Sequence, residues 1–261
     1  MLASLAQLER VLARLARGLG DVAVAIGPVL VDRACGENCS GFALAPSAGR
    51  ARLLRWLSTS GRENPLVLSL SKGEREMPDS LLGEERALWA RHRSPRRRAE
   101  FLAGRIAARR AVAQALGEER EAELEIGRDP TGAPSVRGHP ALHVSISHSH
   151  GLAAAVAAPF AVGVDLERTE PRPEAFARMF FTDAEHERLA AVPGPEREEL
   201  LHVLWTRKEA ASKVGRWGGR LPFGTLDCSG ETVTVSGRRI ALRSAFTAGY
   251  ALSVAREVGG G

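Results

Sequence analysis

The sequence is short of cysteine, of lysine and of long hydrophobic runs. Its three cysteines (Cys35, Cys39 and Cys228) make an odd number and provide no disulfide framework. Cys35 and Cys39 have a loosely metal-like spacing, but no second Cys or His pair completes a tetrahedral site, so they are read as free thiols. No stretch approaches the ~18 apolar residues of a membrane helix. The N-terminus, MLASLAQLERVLARLARGLG, has no apolar centre of the secretory kind, and Glu9 and Asp21 argue against a mitochondrial-type presequence. A cytoplasmic protein with no membrane partner is expected. Only three of the 36 basic residues are lysines (Lys72, Lys208 and Lys213), and two of them fall within six residues of each other. Lysine is a compact, strongly hydrated charge suited to a phosphate oxygen.

What is present suffices for a folded core. The chain has 261 residues, 44% of them apolar, and a net charge of +5. That size fits one large domain or two small ones, and the charge favours an anionic partner: nucleic acid, a phosphorylated ligand or an acidic protein.

Apolar spacing predicts a helix over residues 2–17, ending at Gly18 and Gly20, and a short strand at Val22–Ile26. Leu66–Leu70 reads as a strand. From Arg86 to Arg110 there are nine arginines against one acid, Glu100, and RRRAEFLAGRIAARRAVAQAL reads as a long amphipathic helix within that region. RDPTGAP (128–134) is a turn-rich loop. His143–Ser147 alternates like a strand. Leu152–Ala158, Pro159-Phe160 and Ala161–Glu167 read as a hairpin. Thr182 and Glu185 have capping-box spacing at a helix start. Glu198–Val214 is a further helix closed by Gly215, and three antiparallel strands follow to Ala255. The pattern suggests two α+β halves joined near residue 160.

Four segments can carry chemistry. In GVDLE (163–167), Asp165 and Glu167 share one strand face, where two carboxylates repel unless a cation lies between them. Mg²⁺ suits such a pair, taking carboxylates, phosphate oxygens and water. Read alone, the motif better describes a hydrated strand end. On a helix, WTRKEAASK places Trp205, Lys208, Glu209, Ser212 and Lys213 on one side. That side offers a third acid for a metal and two cations for phosphates, or else only a surface Glu209–Lys213 pair. VSISHSH ends in Ser147, His148 and Ser149 before Gly151, a set of donors fit for an anion. A Ser/His nucleophile lacks its elbow there, and a two-histidine metal site lacks a third ligand. The arginine-rich helix could meet nucleic acid, a phosphate or an acidic protein, but it lacks interleaved aromatics and any recognisable nucleic-acid module.

In this order, from about residue 65 to the end, the segments resemble the surfactin-synthetase-activating (Sfp) type of 4′-phosphopantetheinyl transferase. SPRRRAEFLAGRIAARRAV is similar to the enterobactin-type branch. SISHSH resembles the family's serine-histidine segment, GVDLE its metal motif, FFTDAE the segment with its next acid, and WTRKEAASK its W-x-x-K-E-x-x-x-K signature. The resemblance implies an α+β fold, a pseudo-twofold pair of α/β subdomains in one monomer, with coenzyme A in the cleft between them. The expected division is 1–63, an extension of unknown role; 64–158, the first half; and 159–261, the second.

The resemblance further implies transfer of 4′-phosphopantetheine from coenzyme A to a serine of an acyl or peptidyl carrier protein. Asp165, Glu167 and Glu209 would bind Mg²⁺, with Glu209 or Glu185 as base. Lys208 and Lys213 would hold the diphosphate, Ser147 and His148 would meet coenzyme A phosphates, and Arg98 or Arg105 the 3′-phosphate. Where many members have a Gly-Lys-Pro turn near the adenine, this chain has Gly132-Ala133-Pro134. Other readings are a nucleic-acid binder, a non-catalytic coenzyme A binder and a metal-dependent phosphoesterase. No nucleic-acid partner is expected under the resemblance.

Overall fold

The computed structural model describes residues 2–20, 22–28, 77–118 and 121–259. Cys35, Cys39, Lys72 and the expected strand at Leu66–Leu70 lie outside the described residues. The predicted N-terminal elements are present as α1 (Leu2–Arg17) and β1 (Ala23–Pro28). Then come α2 (Gly83–Ala90), α3 (Pro95–Leu116), β2 (Ile126–Arg128), β3 (Pro134–Val136), β4 (His143–Ser149) and β5 (Leu152–Ala158). The second half contains β6 (Val162–Arg168), α4 (Glu174–Phe180), α5 (Asp183–Ala190), α6 (Gly194–Val214), β7 (Thr232–Val235), β8 (Arg238–Thr247) and β9 (Tyr250–Glu257).

The expected hairpin at 152–167 does not form. β5 pairs with β1 and β4 in a sheet of order β1-β5-β4-β3-β2, whereas β6 pairs with β9 in a second sheet, β6-β9-β8-β7. Pro159 and Phe160 therefore carry the chain from one sheet to the other. Each half repeats one plan: its first strand is an edge, and its last strand pairs with that edge. β1, inside the segment to which the sequence assigned no role, is the edge strand of the first sheet.

A second repeat lies in the helices. Glu85, at the third position of α2, accepts the Leu82 amide at 2.9 Å and the Ile126 amide at 3.0 Å, and pairs with Arg109 of α3. Arg109 donates to the Leu124 carbonyl at 2.8 Å. Glu185, at the third position of α5, accepts the Thr182 amide at 2.9 Å and the Cys228 amide at 2.9 Å, and pairs with Lys208 Nζ of α6 at 2.6 Å. Lys208 also donates to the carbonyls of Phe223, at 2.9 Å, and Leu226. In both halves a buried acid caps one helix, ties down a later strand or loop, and is neutralised from the long helix. Burying such charges is tolerated because each is paired and hydrogen-bonded.

The alternation of β5 separates two cores. Ala153, Ala155 and Ala157 pack under α3. Leu152, Ala154, Val156 and Ala158 join Leu8, Leu12 and Leu15 of α1 and Leu19 just beyond it, together with Val162, Val164 and Leu166 of β6. α1 thus covers a core to which both sheets contribute. α3 forms where the long helix was expected but is less one-sided than the amphipathic pattern implied: Ala99–Arg105, Ala107–Arg109 and Ala111–Ala113 are buried. Ser94 caps its start, accepting the Arg97 amide at 3.1 Å, and Pro95 follows where a missing amide is harmless.

Candidate active site

β6 lies against α6 and β4, and its residues set the approach. At Gly163 a Cβ would fall 2.1 Å from the Ala210 carbonyl oxygen of α6. Only the missing side chain lets helix and strand come this close. The approach brings Lys213 Nζ within 2.9 Å of the Val164 carbonyl and 2.7 Å of Asp165 Oδ1. Asp165 is only 4% exposed. Its Oδ1 also accepts the Ser147 hydroxyl at 2.8 Å, whereas Oδ2 is buried without a partner.

Two more acids share this neighbourhood. Burial, and then the Asp165 charge, push the Glu167 carboxyl up to about 7, against the pull of Arg172. The Arg172 guanidinium is 3.5 Å from Glu167 Oε2. Glu209 is likewise raised, by burial first and by Asp165 second, with Lys213 opposing. Both glutamates therefore feel the charge of Asp165. They do not form a finished chelate: among the described residues no three Asp, Glu, His or Cys groups are arranged to hold a metal ion. The reason is visible in the contacts, since Lys213 draws one Asp165 oxygen and Arg172 draws Glu167. The donor set nevertheless fits a hard divalent cation. It consists of carboxylate oxygens with raised proton affinity around a buried oxygen that has no partner.

Several expected contacts are corrected by the geometry. Lys208 and Glu185 are both 0% exposed and are engaged with each other and with backbone. Neither offers a surface to a diphosphate or a substrate hydroxyl, so Lys208 is not a phosphate ligand here and Glu185 is not a base. The single helical side inferred from WTRKEAASK divides in two, because residues one apart on a helix differ by ~100°. Glu209 and Lys213 look to β6. Trp205 packs on Phe223, and Ser212 donates to the Gly218 carbonyl at 3.0 Å, on the Lys208 side. The Ser147 hydroxyl is buried against Asp165 rather than open to a phosphate. The His148 side chain is 38% exposed, with its ring nitrogen 3.9 Å from Glu100, and partial loss of solvent, with the charges of Lys213 and Arg97, outweighs Glu100 and lowers its pKa.

The arginines of α3 are mostly engaged. Arg96 and Arg97 both pair with Glu100. Arg98 lies 4.3 Å over the Trp89 ring and donates to the His92 carbonyl at 2.7 Å, so it packs the fold instead of reaching into solvent. Arg105 is buried 4.5 Å over Phe101 with an unpartnered Nε, and burial holds its pKa down at about 10. A continuous basic face for nucleic acid is not found on this helix.

Between the halves lies a cavity of about 250 Å³, walled by Pro134, Ile146 and Val162 and edged by Lys213 and Arg216. Arg216 also pairs with Asp129 of the first half, which holds the 129–133 turn through the amides of Thr131 and Ala133. The cavity thus meets the Gly132-Ala133-Pro134 turn, where an arginine from the opposite half supplies a cation. Nothing in the sequence pointed to Arg216 beyond its place just after α6.

The family of this arrangement is decided by comparison. The 4′-phosphopantetheinyl transferase N-terminal domain matches residues 84–158, and the 4′-phosphopantetheinyl transferase superfamily matches residues 161–254. A holo-[acyl-carrier-protein] synthase of Geobacillus kaustophilus is 37% identical over 97 residues, 34% of this chain and 75% of its own length. The chain belongs to the 4′-phosphopantetheinyl transferase superfamily. A Bacillus subtilis member, a 4′-phosphopantetheinyl transferase, is 27% identical over 165 residues, 63% of this chain and 68% of its own. The match to a Synechocystis relative, 32% identical, spans 51% of this chain and only 56% of that relative. A Bacillus anthracis holo-(acyl-carrier-protein) synthase solved with coenzyme A (3′,5′-ADP) is 20% identical, with a TM-score of 0.33 over 38% of this chain and 97% of its own. The two superfamily matches divide at residues 158–161, where the chain passes between sheets. No described helix is long and apolar enough to cross a membrane.

Proposed function

We propose that this chain transfers 4′-phosphopantetheine from coenzyme A to a serine of a carrier protein, with release of 3′,5′-adenosine bisphosphate. One observation carries the reading: buried Asp165, with an unpartnered oxygen, is paired with Lys213 at the groove between the halves, beside two glutamates whose pKa is raised by burial first and by the Asp165 charge second. Family membership supplies the reaction class.

Asp165, Glu167 and Glu209 would hold Mg²⁺, which when bound supplies positive charge for the diphosphate oxygens. The remaining work falls to side chains. Lys213, 28% exposed, presents its ammonium at the edge of the cavity, where it would bind a diphosphate oxygen and stabilise charge developing during displacement at phosphorus. Glu209 has a raised proton affinity, as a base for the incoming serine hydroxyl requires. The part-exposed ring of His148 would donate one hydrogen bond to a phosphate. Both guanidinium groups stack on a ring, but the Arg98 Nε is spent on the His92 carbonyl whereas the Arg105 Nε has no partner, so Arg105 is the better candidate for the 3′-phosphate.

The intact mass of a carrier protein incubated with enzyme, coenzyme A and Mg²⁺ tests the proposal. One added phosphopantetheine per carrier, dependent on the carrier's serine and on Asp165, is expected. An unchanged carrier mass across acyl and peptidyl carriers refutes it. Release of a product without any carrier would point to a phosphoesterase instead.

A further inference from the structure

β4 carries Ser145, Ser147 and Ser149 at alternate positions, so the three side chains leave the strand on one side. All three are buried. Each hydroxyl oxygen accepts one amide from the edge of β6 that β9 does not use: Val164 at 3.1 Å, Leu166 at 3.2 Å and Arg168 at 3.0 Å. The serines thus stand where the carbonyls of another strand would stand, and they satisfy an edge that is buried between the two sheets.

Accepting an amide leaves each hydroxyl its single proton. Ser147 gives its proton to Asp165 Oδ1 at 2.8 Å. Ser149 lies 3.3 Å from Glu167 Oε2 and 3.1 Å from His150 Nδ1. The residue that matches Ser145 on β6 is Gly163, which has no side chain to receive a proton. The ladder therefore does two separable things. All three rungs join the halves, but only the second and third also touch the carboxylates of the proposed cation site.

We propose that Ser147, supported by Ser149, is a positioning residue for the metal. With Lys213 it fixes Asp165 Oδ1, and so leaves Oδ2 as the oxygen aimed away from both donors. A carboxylate free to rotate would present either oxygen and spend part of its time paired elsewhere. The inference rests on the cation reading proposed above, and its test separates the two. Outer partners of metal carboxylates contribute roughly 10–100-fold to metal affinity, and that is the range expected here.

The test is Mn²⁺ binding to the full chain in the presence of coenzyme A, followed by the loss of the free-Mn²⁺ electron paramagnetic resonance signal, together with each variant's Tm. Ser147→Ala should weaken Mn²⁺ binding by about 10–100-fold. Ser147→Thr keeps the hydroxyl and should restore most of the affinity. Ser145→Ala removes an amide contact alone; it should lower Tm as Ser147→Ala does but keep the parental Mn²⁺ affinity. If Ser147→Ala does not fold, Ser147→Cys, of similar shape but a weak donor, replaces it and should bind more weakly than Ser147→Thr. Parental affinity in the folded Ser147→Ala or Ser147→Cys protein overturns the positioning role while leaving the cation site intact. A parent chain that takes up no Mn²⁺ overturns the cation site and the positioning role together.

Discussion

Replacing Glu167 by Gln is expected to stabilise the cation-free protein at pH 8 and to leave it little changed at pH 5. The Glu167 carboxyl is pushed from 4.5 up to about 7, by burial first and by the Asp165 charge second. Below pH 4.5 both native and unfolded chains keep the proton, and nothing is lost. Between 4.5 and 7 the native state alone keeps it, so native stability falls as pH rises through that window. Above 7 both states are ionised and the full penalty is present. At about 1.4 kcal/mol per pKa unit, the shift corresponds to on the order of 3 kcal/mol. The side chain is a quarter exposed, so screening makes that figure a ceiling. Glutamine keeps the shape and an oxygen for Ser149 but has no charge to bury. Urea midpoints of parent and variant at pH 5 and pH 8, without divalent cation, give the difference directly, because other titrating groups largely cancel. Added Mg²⁺ with coenzyme A should narrow the gap at pH 8 by stabilising the parent alone. A parent–variant difference that is the same at both pH values would refute the reasoning.

Three further outcomes are expected. Gly163→Ala places a methyl against the Ala210 carbonyl; thermal denaturation should show a loss of roughly 1–3 kcal/mol or more, with transfer reduced as α6 is pushed from β6. Lys208→Met leaves Glu185 and two carbonyls without their cation and should cost about 3–5 kcal/mol in chemical denaturation, whereas Lys213→Met, at a part-exposed pair, should cost less stability and slow transfer markedly. Asp165→Asn should lower the transfer rate by roughly 10³-fold, the scale of losing a transition-state stabiliser, while the variant stays folded, because the amide keeps the shape and an oxygen for Ser147 and Lys213.

Local pattern made much of the fold legible. The period of Leu8, Leu12 and Leu15 marked α1, RRRAEFLAGRIAARRAVAQAL marked the body of α3, and Thr182 with Glu185 marked the start of α5. GVDLE and WTRKEAASK were found as a strand and a helix, and Asp165, Glu167, Glu209 and Lys213 do lie in one neighbourhood. The failures came from partners that local pattern cannot name. Two adjacent strands around Pro159 look like a hairpin, yet β5 and β6 pair in different sheets with strands distant in sequence. Lys208 and Glu209 are neighbours in sequence but ~100° apart on α6, so one is buried against Glu185 while the other looks to β6. The arginines of α3 read as a basic surface because burial of a guanidinium over Phe101 or Trp89 leaves no trace in charge counts. One signal was available and passed unused: the period-two serines of β4 match the period-two acids of β6, which is the spacing two abutting strands require.

The central claim is spatial, and crystals grown with coenzyme A and Mn²⁺ test it through the anomalous signal of the cation. The account predicts a peak in contact with Asp165 Oδ2 and the carboxylates of Glu167 and Glu209, touching the diphosphate, with Lys208 still paired to Glu185. A peak on another set of ligands, or a diphosphate bound with no cation beside Asp165, would contradict it.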